Sequence, residues 1–166
     1  MTQTVGGRRV AVTGAASGIG AATARKLMAD GWRVACLDRN IEGARLMQPG
    51  SRICMVASIS SYTGGGYVAA GAYATSKGAV LTMMKSCARA LGDKGIAVNA
   101  VAPGFIDTPF VASAMSDPVR RAQVVAAVGK VGTAEQIAEA AAWLVSPNAD
   151  FVHGSTLIAD GGILMR

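Results

Sequence analysis

The stretch "RVAVTGAASGIGAATARKLMADGWRVACLD", residues 9–38, constrains the fold more than any other part of the 166-residue chain. "RVAVT" is a short apolar run with β-branched residues, which reads as a buried strand. Residues 18–30 carry apolar side chains at helical spacing (Ile19, Ala22, Leu27 and Met28), and Gly31 ends the helix. "WRVACLD", residues 32–38, is the next strand. A strand, glycine turn, helix and strand in so short a span make a βαβ unit, hence a parallel sheet with a right-handed crossover.

The rest of the chain continues the alternation. Asn40 suits the cap of a brief helix over 41–48, which Pro49-Gly50 stops. "RICMVAS", 52–58, is a buried strand, and a glycine-rich loop leads from it into a long helix over 72–91. "GIAVNAVAP", 95–103, is a strand, 111–128 a weakly patterned helix, and "STLIAD", 155–160, the last strand. Thr133 and Gln136 stand at capping-box spacing before the helix over 133–146. With no repeat, low-complexity tract or linker, residues 1–166 read as one α/β layered domain, the size expected of a single unit.

The chain is 51% hydrophobic and 16% charged, which excludes disorder. Its net charge of +6 comes from scattered basic residues, without the run of like charge that a nucleic-acid interface needs. The same field favours a small anionic cofactor. Three cysteines, each in an apolar run, lack metal or disulfide spacing and fit a reducing compartment. With one histidine, no histidine cluster is available for a metal. Residues 1–9 carry no apolar signal core and no segment is long enough to span a membrane, so a cytoplasmic location is expected.

"TGAASGIG", residues 13–20, joins the first strand to the first helix. Its glycines allow a tight turn and close backbone approach, and the helix N-terminus offers unpaired N–H groups to a pyrophosphate. The candidate phosphate-binding residues are Gly14, Ser17, Gly18, Ile19 and Gly20. Asp38 falls 18 positions after Gly20, at the end of the next strand. A carboxylate there accepts hydrogen bonds from an adenosine ribose and repels a 2′-phosphate, which favours NAD over NADP. Arg39 beside it leaves NADP open, because a guanidinium accommodates that phosphate.

"AYATSKGAV", residues 72–80, sets Tyr73 and Lys77 at i and i+4, on one helix face. An ammonium near a phenol favours the phenolate, which suits proton exchange with an alcohol or ketone at neutral pH. On spacing alone the pair also suits an ordinary amphipathic surface.

Taken together, "TGAASGIG", "YATSK" and "NAVAPGFIDTP" resemble the short-chain dehydrogenase/reductases, and the late "ADGG" is similar to that family's C-terminal strand. The resemblance covers nearly the whole chain. It implies a three-layer, Rossmann-like parallel sheet that binds NAD(P) and transfers hydride to or from a secondary alcohol or ketone. It implies Tyr73 as general acid/base and Lys77 as partner of the nicotinamide ribose and of the phenol. It also implies a serine from the preceding strand that hydrogen-bonds the substrate oxygen. Ser58, Ser60 and Ser61 compete for that role; strand register favours Ser58. Pro103, Gly104, Ile106 and Thr108 resemble the loop that holds the nicotinamide amide and a phosphate oxygen. Phe110, Val111 and Met115, just beyond it, suggest an apolar substrate wall.

Family members are longer, and the shortfall lies between Asp38 and Ser58. There the family carries two further strands with their helices. The chain resembles two matched ends joined across a deletion of two βα units, with strands reclosing in the order 2-1-5-6-7 of the family's labels. The 13 residues from Arg39 to Ser51 are just enough for a crossover. Such a deletion predicts weakened catalysis, and an uncovered apolar surface predicts a homo-oligomer with an altered interface.

Overall fold

The computed structural model describes residues 9–13, 18–37, 49–65, 71–114 and 116–165. The expected helix over 41–48, and Gly14, Ser17, Asp38, Arg39 and Met115, lie outside them. The opening βαβ unit is as its sequence requires: β1 (Arg9–Thr13), α1 (Gly18–Ala29) and β2 (Arg33–Leu37), with β1 and β2 parallel and Arg9 opposite Arg33. The serine strand is β3 (Arg52–Val56), followed by a single turn, α2 (Ser60–Thr63), and the long helix α3 (Gly71–Leu91).

β4 (Ala97–Pro103) pairs in parallel with β3 on one edge and with β7 (Thr156–Ala159) on the other. Between them come β5 (Ile106–Asp107), α4 (Pro109–Ala114), α5 (Pro118–Val128), β6 (Gly132–Thr133) and α6 (Ala134–Leu144). The weakly patterned helix over 111–128 is thus two helices. Asp117 causes the break: its carboxylate accepts the Val119 N–H at 2.9 Å, with Pro118 at the first helical position. The capping box on α6 is complete, Thr133 Oγ1 accepting from Gln136 N and Gln136 Oε1 from Thr133 N.

Two layers of core hold this together. Met84 and Ala88 of α3 pack with Val98 and Ala100 on one face of the sheet, while Val101 packs with Ile137, Ala141 and Leu144 of α6 on the other. α6 also lies against α1, where Ala142 and Val145 meet Val12, Ala24 and Leu27. The lone histidine is a packing residue: His153 Nδ1 accepts from Val98 N at 3.2 Å and Nε2 donates to Ala88 O at 3.0 Å, which ties α3 to β4.

The ladders fall into a β1-β2 pair against α1, a β3-β4-β7 sheet under α6, and a short β5-β6 pair at the start of α6. The reclosure that would pair β3 directly with β1 is not among the ladders of the described residues. β4 occupies one edge of β3, since Ala97 N bonds Ser51 O and Ala57 N bonds Val101 O. The polar groups of Arg52, Cys54 and Val56 therefore turn to the other edge.

A cavity where the serine strand, the tyrosine helix and the glycine turn meet

β3 runs out at Val56, and Ala57 and Ser58 follow as buried residues at its carboxyl end. The Ser58 hydroxyl accepts a hydrogen bond from Ser60 N at 3.1 Å, so its own proton remains free to donate. Ser60 begins α2 and lines the same cavity; Ser61 does not line it, and its buried hydroxyl has no hydrogen-bond partner. Ser58 is the most buried of the three residues, and it and Ser60 both line the cavity.

Tyr73 and Lys77 project from the first turns of α3. The Lys77 ammonium lies 5.8 Å from the Tyr73 ring centroid and donates to Val56 O at 2.9 Å, on the β3 edge that β4 leaves open. Burial pulls the Lys77 pKa below its ordinary value. The Tyr73 ring stacks on Phe110 of α4, with centroids 5.6 Å apart and planes 26° from parallel.

The loop after β4 is shaped by close approach. A Cβ on Gly104 would stand 2.6 Å from the backbone of Asp160, so only glycine fits where the loop crosses the last turn. Asp160 holds that turn by accepting from Gly162 N and Leu164 N. The loop leads to Thr108, whose methyl lies 3.8 Å from where a Gly18 Cβ would be. Gly18 heads α1 with φ of 51°, in the left-handed region. The N-terminus of α1 and the β5–α4 corner are therefore neighbours.

All these parts line one cavity of about 450 Å³: Gly18 and Ile19 on one side, Ser58, Tyr73 and Lys77 on another, with Pro103, Gly104, Ile106 and Thr108 between. That volume lies within the usual range for small-molecule sites. Its donor set suits a dinucleotide, because a helix N-terminus for phosphate opens onto the same space as the phenol–ammonium pair. Gly20 heads the same helix without lining the cavity. Sequence reasoning missed the Lys77–Val56 bond, the Tyr73–Phe110 stack, and Thr63 and Ile163 as lining residues. The stack follows a spacing between two motifs that no local pattern encodes.

Comparison with known proteins gives the family. Residues 8–49 match the family model for short chain dehydrogenases, and residues 41–164 match the model described as enoyl-(acyl carrier protein) reductase. The chain belongs to the short-chain dehydrogenase/reductase family. It is 44% identical to 3beta-hydroxysteroid dehydrogenase 1 of Eggerthella lenta over 56% of this chain and 36% of that protein. It is 37% identical to the 3-oxoacyl-(acyl-carrier-protein) reductase FabG of Escherichia coli over 78% of this chain and 52% of that protein. The chain spans about half the length of that FabG, and less of the hydroxysteroid dehydrogenase. An Agrobacterium tumefaciens protein described as a 2-deoxy-D-gluconate 3-dehydrogenase, solved with NADP bound, has the same fold. Its TM-score is 0.78 at 24% identity, over 98% of each chain. Among the described residues no helix is long and apolar enough to cross a membrane, and no cluster of side chains could hold a metal.

Proposed function

We propose that this chain is an NAD(P)-dependent oxidoreductase that interconverts a small secondary alcohol and its ketone. The observation that carries the reading is the shared cavity, in which the N-terminus of α1, Ser58, Tyr73 and Lys77 all face one space. When bound, the nicotinamide supplies or accepts the hydride at the carbinol carbon. The chain's own residues handle the oxygen and its proton. Ser58 donates its free hydroxyl proton to the substrate oxygen and orients it. Tyr73 gives that oxygen a proton in ketone reduction and takes it back in alcohol oxidation. Lys77, charged beside the phenol, stabilises the phenolate that this transfer leaves behind.

Gly14, Ser17, Gly18, Ile19 and Gly20 would hold the pyrophosphate, with Thr108 contacting a phosphate oxygen and Pro103, Gly104 and Ile106 lying along the nicotinamide. Asp38 sets the adenosine end and favours NAD, with Arg39 as the residue that would admit NADP. We place this activity in one dinucleotide-binding domain, in the cytoplasm, with a small-molecule substrate and a homo-oligomer whose interface is altered.

The test is fluorescence titration with NADH followed by turnover of a ketone panel. Tyr73→Phe should leave NADH binding intact and cut turnover by roughly 10²–10⁴-fold. Turnover that survives this change removes Tyr73 as the proton donor. Asp38→Ala should move the preference toward NADP; an unchanged preference removes Asp38 from cofactor selection. One observation supports a second reading, a dinucleotide-binding protein with impaired turnover: Lys77 spends a hydrogen bond on Val56 O. Tight NADH binding without turnover of any ketone would select it.

A further inference from the structure

We propose that a second cavity, between the loop after β4, the turn after β7 and the start of α6, binds a small carboxylate with a short apolar tail. Lys130 and Gln136 take the carboxylate there. The cavity holds about 360 Å³, within the range of small-molecule sites. Phe105 and Ile106 line it as well as the first cavity, so the two share one wall.

Two donors are held in place around this space. Gln136 Oε1 accepts from Thr133 N at 3.0 Å in the capping box of α6, and it lies 3.3 Å from where a Gly132 Cβ would be. With its oxygen fixed, the Gln136 amide keeps both N–H groups of its nitrogen for the cavity that it lines. Lys130 lays its stem on the turn after β7. A Cβ at Gly161 would stand 3.4 to 3.7 Å from the Cβ, Cγ and Cδ of that lysine. Among the described residues the Lys130 ammonium has no hydrogen bond or ion pair. Asp160 lines the cavity too, but its two oxygens already accept from Gly162 N at 2.9 Å and Leu164 N at 2.6 Å. Free hydrogen-bonding capacity therefore lies with the donors, and a carboxylate meets it with charge-assisted bonds.

The opposite wall is apolar. Ile137 and Ile158 line it with Ala159, beside the shared Phe105 and Ile106. A tail of a few carbons leaves water against these side chains. An inorganic anion or acetate gains the two donors without this wall, and an alcohol of the same length gains the wall without the ion pair. The two features together select a carboxylate with a tail.

The experiment titrates the full chain with sodium hexanoate by calorimetry, against acetate, hexan-1-ol and hexylamine. Hexanoate should bind once per chain, about tenfold or more tighter than each of the other three. Lys130→Met and Gln136→Glu should each weaken it about tenfold, while Lys130→Arg should keep it. Gln136→Glu retains an oxygen to cap α6, so its melt should match that of the wild type and its lost affinity cannot come from a frayed helix. Lys77→Met should leave hexanoate binding as it was. Because the readout needs neither cofactor nor turnover, the result stands apart from the redox reading. The proposal is overturned if hexanoate does not bind, if hexylamine binds as tightly, or if affinity survives both Lys130→Met and Gln136→Glu. Affinity lost in Lys77→Met and kept in Lys130→Met would put the carboxylate in the first cavity, which also overturns it.

Discussion

Strands β3 and β4 are both apolar and pair with one another residue for residue, from Arg52–Ala97 to Val56–Val101, yet they meet different surroundings. From Val98 to Pro103 every residue of β4 is buried, whereas no residue of β3 is, and Val56 is 38% exposed. Composition does not explain this; neighbours do. β4 has a strand on each edge and helices on both faces, while among the described residues β3 has a ladder on one edge only. An apolar run states that a strand gains by burial, and strand order decides whether it gets it. The two family matches, 8–49 and 41–164, meet between β2 and β3, so the strand with the open edge follows the join.

The contrast can be broken most directly at β4. Asn99 is fully buried, donating to Val152 O at 2.8 Å and accepting from Ser155 N at 3.1 Å. Asn99→Ala leaves two backbone groups unpaired in the interior and should cost about 3 kcal/mol. A denaturant midpoint that implies less than about 1 kcal/mol would mean that water reaches this strand as well. Val101→Ala should cost about 2 kcal/mol, while Val56→Ala, its ladder partner, should stay within about 0.5 kcal/mol. Equal losses at the two positions would show that β3 is covered in solution.

Cys54 sharpens the comparison, because side chains alternate along β3. Its thiol packs against both the Val12 and the Val101 cores, and burial pushes its pKa up to about 12. The unfolded chain loses that proton near pH 8.5, so the folded state keeps it where the unfolded state does not. Stability is therefore whole below about pH 8.5 and falls by about 1.4 kcal/mol per pH unit above it, toward pH 12. Cys54→Val should flatten that alkaline limb of the unfolding curve. An unchanged limb would place the thiol in water.

Much of this was legible from local chemistry. The βαβ opening, the Thr133–Gln136 capping box and the i, i+4 placement of Tyr73 and Lys77 depend on residues within a few turns of one another, and each is where its pattern put it. Asp117-Pro118 was an equally local signal, a helix start inside a segment read as one helix. What stayed hidden depends on distant partners. Trp143 is a large apolar side chain of α6 and yet 42% exposed, because the apolar face of that helix is filled by Ile137, Ala141 and Leu144. The Phe110 stack and the Lys77–Val56 bond join residues 37 and 21 positions apart. Composition and periodicity carry no term for such meetings.

Lys77 is where the open edge and the cavity compete for one group. Its ammonium is partly desolvated, which lowers its pKa, and the Val56 carbonyl offsets part of that cost. The folded state holds this proton less tightly than the unfolded chain, so stability rises with pH between the depressed value and about 10.4. Lys77→Met keeps the apolar stem and removes both the cost and the bond. It should move stability at neutral pH by less than about 1 kcal/mol and abolish the rise. If the lysine serves the cavity first, the same variant should lose NADH affinity and nearly all turnover despite this near-silent melt. A variant that melts far earlier yet binds NADH as before would make Lys77 the cap of an unpaired strand edge, with the phenol left to work without it.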